Sequence, residues 1–276
     1  MALSEKIELL GKGIYKDIPD TLTLTSIPTA SELDYIGSEE FEQTMIEKIF
    51  PKCIEEKVDF NNLLEIDFQW ILRCLRILNY GPYHTTNTIF CTNCGSTSRG
   101  EYQVDLRTIE CKPLPKDFVN EIKISKDKFI DFDGDIVIKL PTIQDMLNAR
   151  KDVAFQTPNG DTDNALSRLC YSIVSIKNSK GLTPIEAKMR IQQQLSAADY
   201  VILKDEFTNA TNYGLRAGGS CICPKCHNPK AAYIALVDDR FFRATVGDLR
   251  KWKHDRNSGS SKDISGNSSN DVRKDN

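Results

Sequence analysis

Cys91-Thr92-Asn93-Cys94-Gly95, taken together with the distant run Cys223-Pro224-Lys225-Cys226, decides how this chain is read. Each run puts two thiols on one tight turn with two residues between them. That spacing lets one knuckle give two sulfurs to a tetrahedral metal ion, and two knuckles complete the set. One CxxC alone is compatible with a redox motif. A second one, with neither in a βαβ context, points instead to a structural zinc ion held by Cys91, Cys94, Cys223 and Cys226. Gly95 directly follows the first pair, where a tight metal turn calls for positive φ. Cys221 lies outside the second turn and is not expected to ligate. His227 could substitute for a cysteine only in an unusual turn. If both knuckles share one ion, the intervening helices are an insertion in the ribbon, and the two terminal thirds of the chain are clamped together.

Outward from the knuckles, 276 residues are enough to bury a real core, so the metal would staple a thinly covered region rather than rescue a small protein. Hydrophobic residues make up 40% and charged residues 27%, ordinary globular values. A formal charge of -3 supplies no field to draw the whole chain onto nucleic acid or an anionic membrane. The nine cysteines are an odd number, and Met1-Ala2-Leu3-Ser4 opens no secretory signal, so a reducing cytoplasm is expected. Cys53, Cys74 and Cys170 sit in helix-like apolar patterns as small hydrophobes, and Cys111 is expected to be a free thiol. No apolar run approaches the roughly 20 residues that span a bilayer.

Periodicity predicts a mixed α+β fold, a mostly helical body with β-hairpins and a four-cysteine zinc ribbon. Residues 1–20 read as an irregular arm and 21–26 as a short strand. Phe41, Met45, Ile46 and Ile49 mark a helix within 39–54. The strongest stripe, Phe68, Ile71, Leu72, Leu75 and Leu78, covers 65–79 and stops at Gly81-Pro82. Arg73 and Arg76 interrupt it and are read as a solvated flank, in preference to pairing with a buried carboxylate or a partner. Strands are expected over 83–90 and 102–111 on either side of the first knuckle. Asp133-Gly134 between β-prone runs signals a hairpin. Asp131, Asp133 and Asp135 alternate like a calcium loop, but Ile136 and Thr142 stand where glycine and glutamate are needed.

Helices are expected over 142–155, 164–177, 184–195 and from Ser196 to about 211. Thr183-Pro184-Ile185-Glu186 supplies a cap, a proline at the first helical position and a capping-box glutamate. Gly214, Gly218 and Gly219 open a flexible approach to the second knuckle, and 231–237 returns as a strand. A basic amphipathic helix capped by Thr245 follows, and from 257 onward the polar chain is expected to be disordered. The regions are therefore 1–82, an arm and helices; 83–112, the first knuckle hairpin; 113–215, a hairpin and helical insertion; 216–256, the second knuckle and a docking segment; and 257–276, a tail.

No nucleophile elbow, phosphate loop, dinucleotide fingerprint or HExxH occurs, and the three histidines are scattered, so no enzymatic role is expected. A four-cysteine site is coordinatively closed and contributes folding energy rather than reactivity. Two classes remain. In one, Arg240, Arg243, Arg250, Lys251 and Lys253 contact phosphate while Phe241, Phe242 and Trp252 stack bases; the mildly acidic chain disfavours it. In the other, an assembly protein, Phe241, Phe242 and Trp252 with Arg243 and Arg250 anchor a protein partner, or the three aromatic rings pack the chain's own core. No small-molecule substrate is implied.

The run Leu75-Arg76-Ile77-Leu78-Asn79-Tyr80-Gly81 before the first knuckle, and Phe241-Phe242-Arg243-Ala244-Thr245-Val246-Gly247-Asp248-Leu249-Arg250 after the second, resemble the T4-type baseplate proteins of contractile-tailed phages, in their hub and hub-assembly group. In order of features the resemblance extends over residues 15–256. It implies a non-enzymatic structural or assembly protein of the baseplate hub or wedge region, with other baseplate and tail proteins as partners. It places the chain in the host cytoplasm during assembly, and in the virion tail if retained. The cysteines do not run through that whole group, so the zinc expectation rests on this sequence.

Overall fold

The computed structural model describes residues 3–35, 38, 40–91, 93–157, 162–215, 222–228, 239–242 and 244–257, which form an α+β fold. Ser4–Glu8 (β1) pairs antiparallel with Thr21–Thr25 (β2) along its whole length, so the arm begins as a strand and is irregular only over residues 9–20. Charge in Ser4-Glu5-Lys6-Ile7-Glu8 masks this strand: Ile7 alone is fully buried, opposite Leu22, and the backbone ladder carries the pairing. Thr29–Tyr35 (α1) follows, then Phe41–Thr44 (α2) and Phe50–Cys53 (α3), joined by a π-helical turn over Met45–Ile49. Phe41, Met45, Ile46 and Ile49 are buried, as their spacing predicts. The widened turn precedes Pro51, which has no amide to give to a carbonyl one turn back.

Glu65–Tyr80 (α4) is the axis of the larger core, with Phe68, Ile71, Leu72, Leu75 and Leu78 buried. Arg73 and Arg76 are also buried, at 2% and 0% exposure, which overturns their reading as a solvated flank. The helix is covered on all sides, so both cations must find partners inside. Arg73 donates from Nε to the Leu106 carbonyl at 2.9 Å, with its guanidinium 4.7 Å over the Trp70 ring. Arg76 donates to the carbonyls of Phe241 at 2.8 Å and of Gly81 and Tyr83 at 2.9 Å each. Gly81 ends the helix at φ 79, and a Cβ there would lie 2.4 Å from Cγ of Trp252.

Tyr83–Phe90 (β3) and Thr97–Asp105 (β4) make the hairpin that presents the first knuckle. The exit strand starts at Thr97, earlier than expected, and stops where Asp105 caps the turn Leu106–Thr108 by accepting from the Arg107 amide. Cys111–Lys112 (β5) comes next.

A smaller core forms on a four-stranded antiparallel sheet of Ile122–Ile124 (β6), Ile136–Ile138 (β7), Ile173–Ile176 (β8) and Ser179–Lys180 (β9), in that order. Asp133-Gly134 does not make a tight hairpin turn. The long connection instead buries Phe129 and Phe132, and Asp199 accepts from the Ile130 amide at 2.7 Å to hold it. Four helices accompany the sheet: Ile143–Lys151 (α5), Asn164–Ser172 (α6), Pro184–Gln194 (α7) and Ala197–Ala210 (α8). The helix expected over 164–177 stops at Ser172, where β-branched Ile173 and Val174 pass into β8 beside β7. The Thr183/Glu186 capping box is present in both directions, as is one at Thr142/Asp145.

Gly214–Leu215 (β10), expected to be open, pairs with β5, and Val246–Asn257 (α9) ends the described chain. The strand expected over 231–237 and the tail beyond 257 lie outside the described residues, as do Gly218 and Gly219. Glu42 with Arg150 at 2.6 Å, and Glu65 with Arg168, join the N-terminal helices to α5 and α6. Among the described residues, no helix is long and apolar enough to cross a membrane.

Arg76→Ala removes the donor to three buried carbonyls at once. Each buried acceptor left unsatisfied costs about 1–3 kcal/mol, so the substitution is expected to lower the unfolding free energy by about 3 kcal/mol or more, read as an earlier urea midpoint with an unchanged slope.

Candidate metal centre

Both knuckles are built by the same backbone device. In the first, the Cys91 amide donates to the Ser96 carbonyl at 2.9 Å and the Gly95 amide to the Cys91 carbonyl at 2.8 Å, with Gly95 at φ 65. In the second, the Cys223 amide donates to the Asn228 carbonyl and the His227 amide to the Cys223 carbonyl, both at 2.8 Å, with His227 at φ 59. His227 thus stands where the first knuckle has glycine. Histidine is among the residues that tolerate this left-handed conformation better than most. Its side chain is exposed, and the sulfurs alone complete a four-ligand set.

The Sγ atoms of Cys91, Cys94, Cys223 and Cys226 all lie within 4.8 Å of one another, close enough to bind one metal ion. Cys91 is 3.5 Å from Cys226 and Cys94 is 3.9 Å from Cys223, sulfur to sulfur, so both contacts run between knuckles. Sulfurs about 2.3 Å from a tetrahedral ion stand roughly 3.8 Å apart, which the observed separations match. Cys91 and Cys223 are buried, Cys226 is half-buried and Cys94 is exposed. The Cys226 amide brings the Cys223 thiol down to about 6, and the Ser96 hydroxyl, 2.9 Å from Cys94 Sγ, lowers the Cys94 thiol. These two shifts favour the thiolate, the form that binds metal, whereas at Cys226 the Asn228 amide is outweighed by burial and the neighbouring Cys91 and Cys94 thiols, which raise it. Cys111 is a free thiol, pushed up to about 11 by burial, and Cys221 lies outside the described residues.

The chain after the second knuckle docks on the base of the same hairpin. Phe241 and Phe242, at 1% and 2% exposure, are core residues of this chain, which corrects the expectation that they anchor a partner. The turn Asp239–Phe242 drives the two rings inward, where Phe241 meets His84 at 5.6 Å and Phe242 meets Tyr35 at 5.5 Å and Phe41 at 6.0 Å between ring centroids. Burial, with the Arg76 cation nearby, pushes His84 down to about 4 and keeps it neutral.

Thr245 caps α9 in a reciprocal box: its amide donates to Asp248 Oδ2 at 3.0 Å, and the Asp248 amide donates back to its hydroxyl at 3.1 Å. Asp248 also accepts from Thr85 of β3 at 2.8 Å and Gln103 of β4 at 3.0 Å. Burial alone would raise this carboxyl; the Thr245 amide, Gln103 and Thr85 outweigh it and hold Asp248 below the usual carboxylate range. Trp252 is half-buried against Gly81, and Lys251 lies 4.1 Å over the Tyr83 ring. Arg250 is exposed, and Arg243 is outside the described residues.

No family model matches the chain, and no curated protein or solved structure matches it significantly.

The CxxC spacing was enough to pick out the four cysteines whose sulfurs come together. Ser96, beside Cys94 and 3.8 Å from Cys223 Sγ, was missed, since its place five residues after Cys91 becomes meaningful only once Asn228 is seen to hold the matching place after Cys223. Cys94→Ser and Cys226→Ser each remove one sulfur from the set of four. Either variant is expected to lose bound metal in elemental analysis and to melt earlier; unchanged metal content and melting would remove that residue from the ligand set.

Proposed function

We propose that the chain is a non-enzymatic structural or assembly protein of a contractile phage tail baseplate, in the hub or wedge region, folded around one structural zinc ion. The observation that carries this reading is that the two runs resembling baseplate proteins, 75–81 and 241–250, meet in one unit. Arg76 holds the Phe241 carbonyl, and Asp248 binds the strand that leaves α4. Zinc suits a closed set of four thiols: it needs no open coordination position and gains nothing from redox chemistry. Such a site contributes fold rather than catalysis.

With Phe241 and Phe242 inside the core, the surface offered to partners is the outer stripe of α9. Val246 and Leu249 are 64% and 38% exposed, and Arg250 and Lys253 are exposed beside them at helical spacing. An apolar stripe edged with cations fits a neighbouring tail protein with an acidic rim. The nucleic-acid reading loses two of its three stacking rings, because both phenylalanine rings are buried while Trp252 is half-buried.

Quantitative mass spectrometry of purified virions and of infected-host lysate tests the proposal. A fixed stoichiometric amount in virions is expected for a baseplate subunit, and abundance in lysate and tail intermediates alone for an assembly protein. Absence from particles and tail intermediates alike, with heparin retention that falls steeply as salt rises, would refute it in favour of nucleic-acid binding.

A further inference from the structure

We propose that Asn93, Asn228 and Ser96 form a hydrogen-bonding collar around the four thiols and set how firmly the metal ion is kept. The inference rests on the metal reading above. A divalent ion with four thiolates carries two negative charges in excess, and two of its sulfurs, on Cys91 and Cys223, belong to buried residues. Charge held there needs donors supplied by the protein.

The donors are arranged crosswise. Asn93, in the first knuckle, points its Nδ2 at Cys226 Sγ of the second at 3.6 Å. Asn228, beside the second knuckle, points its Nδ2 at Cys91 Sγ of the first at 3.9 Å. Ser96 Oγ lies 2.9 Å from Cys94 Sγ and 3.8 Å from Cys223 Sγ. Every sulfur of the set therefore has a polar side-chain group within reach. Ser96 and Asn228 also hold equivalent places, since each gives its carbonyl to the first cysteine amide of its own knuckle. One residue closes the turn through its backbone and reaches sulfur through its side chain.

Hydrogen bonds of this kind draw charge from sulfur, fix the direction of its lone pairs and make the thiolate a poorer target for protons and electrophiles. Asn93, Asn228 and Ser96 are positioning residues; none of them is a ligand. The crosswise pattern makes the two knuckles depend on each other even before an ion bridges them.

The test uses the full-length chain loaded with zinc, timing transfer of the ion to a chromogenic chelator, and the same chain loaded with cobalt, recording its sulfur-to-cobalt charge-transfer band. Asn93→Ala, Asn228→Ala and Ser96→Ala are each expected to release zinc about tenfold faster and to move the band to lower energy. Ser96→Thr, which keeps the hydroxyl, is expected to behave like the parent. Asn93 is exposed, so its truncation leaves the fold intact, and the band reports on sulfur rather than on stability. Release within about twofold of the parent and an unmoved band in all three alanine variants would overturn the collar. A parent chain that takes up neither zinc nor cobalt would overturn the metal reading itself, a separate and distinguishable result.

Discussion

A guanidinium buried in the middle of a helix has to be satisfied by the protein around it, and Arg76 imposes that condition on the whole of the larger core. It has no exposure, and burial lowers it only to about 10, so it stays charged at neutral pH. Its partners are the carbonyl that ends its own helix, the first carbonyl of β3, and the carbonyl of Phe241, 165 residues away. The first two form with the helix and hairpin. The third requires the C-terminal segment in place, so the charge makes docking of that segment part of folding the core. Asp248 adds a nearby negative charge and three polar tethers of its own.

The hairpin of β3 and β4 is consequently held at both ends by residues from beyond the smaller core. At its base, Asp248 grips Thr85 and Gln103, and Trp252 fills the space that Gly81 leaves. At its tip, Cys223 and Cys226 face Cys91 and Cys94. A two-stranded hairpin is marginal by itself. Among the described residues this sheet has only these two strands, and two contacts hold it: the Asp248 carboxylate with Trp252 at the base, and the four gathered sulfurs at the tip. The smaller core, on β6 to β9 with α6, α7 and α8, takes no part in either contact.

What could be read from sequence was what local chemistry decides. The cluster of four cysteines followed from spacing, α4 from its stripe and its glycine stop, and α7 and α8 from their caps. What could not be read was decided by distant partners. Arg73 and Arg76 look like solvated cations until the carbonyls that receive them are known. Phe241 and Phe242 look equally like anchors or core until Tyr35, Phe41 and His84 are placed around them. Ile173 and Val174 continue a helical pattern, and β7 takes them into a sheet. Ser4–Glu8 shows no amphipathic signal because pairing with β2, not burial, makes it a strand.

A metal ion on the four thiols would lock the C-terminal segment onto the hairpin and α4. Hydrogen exchange of the metal-loaded chain, before and after a chelator strips the ion, tests it most directly. Amides of 83–105 and 239–257 are expected to lose protection together while those of β8 and α7 keep theirs. Unchanged protection across 239–257 after the ion is gone would contradict it.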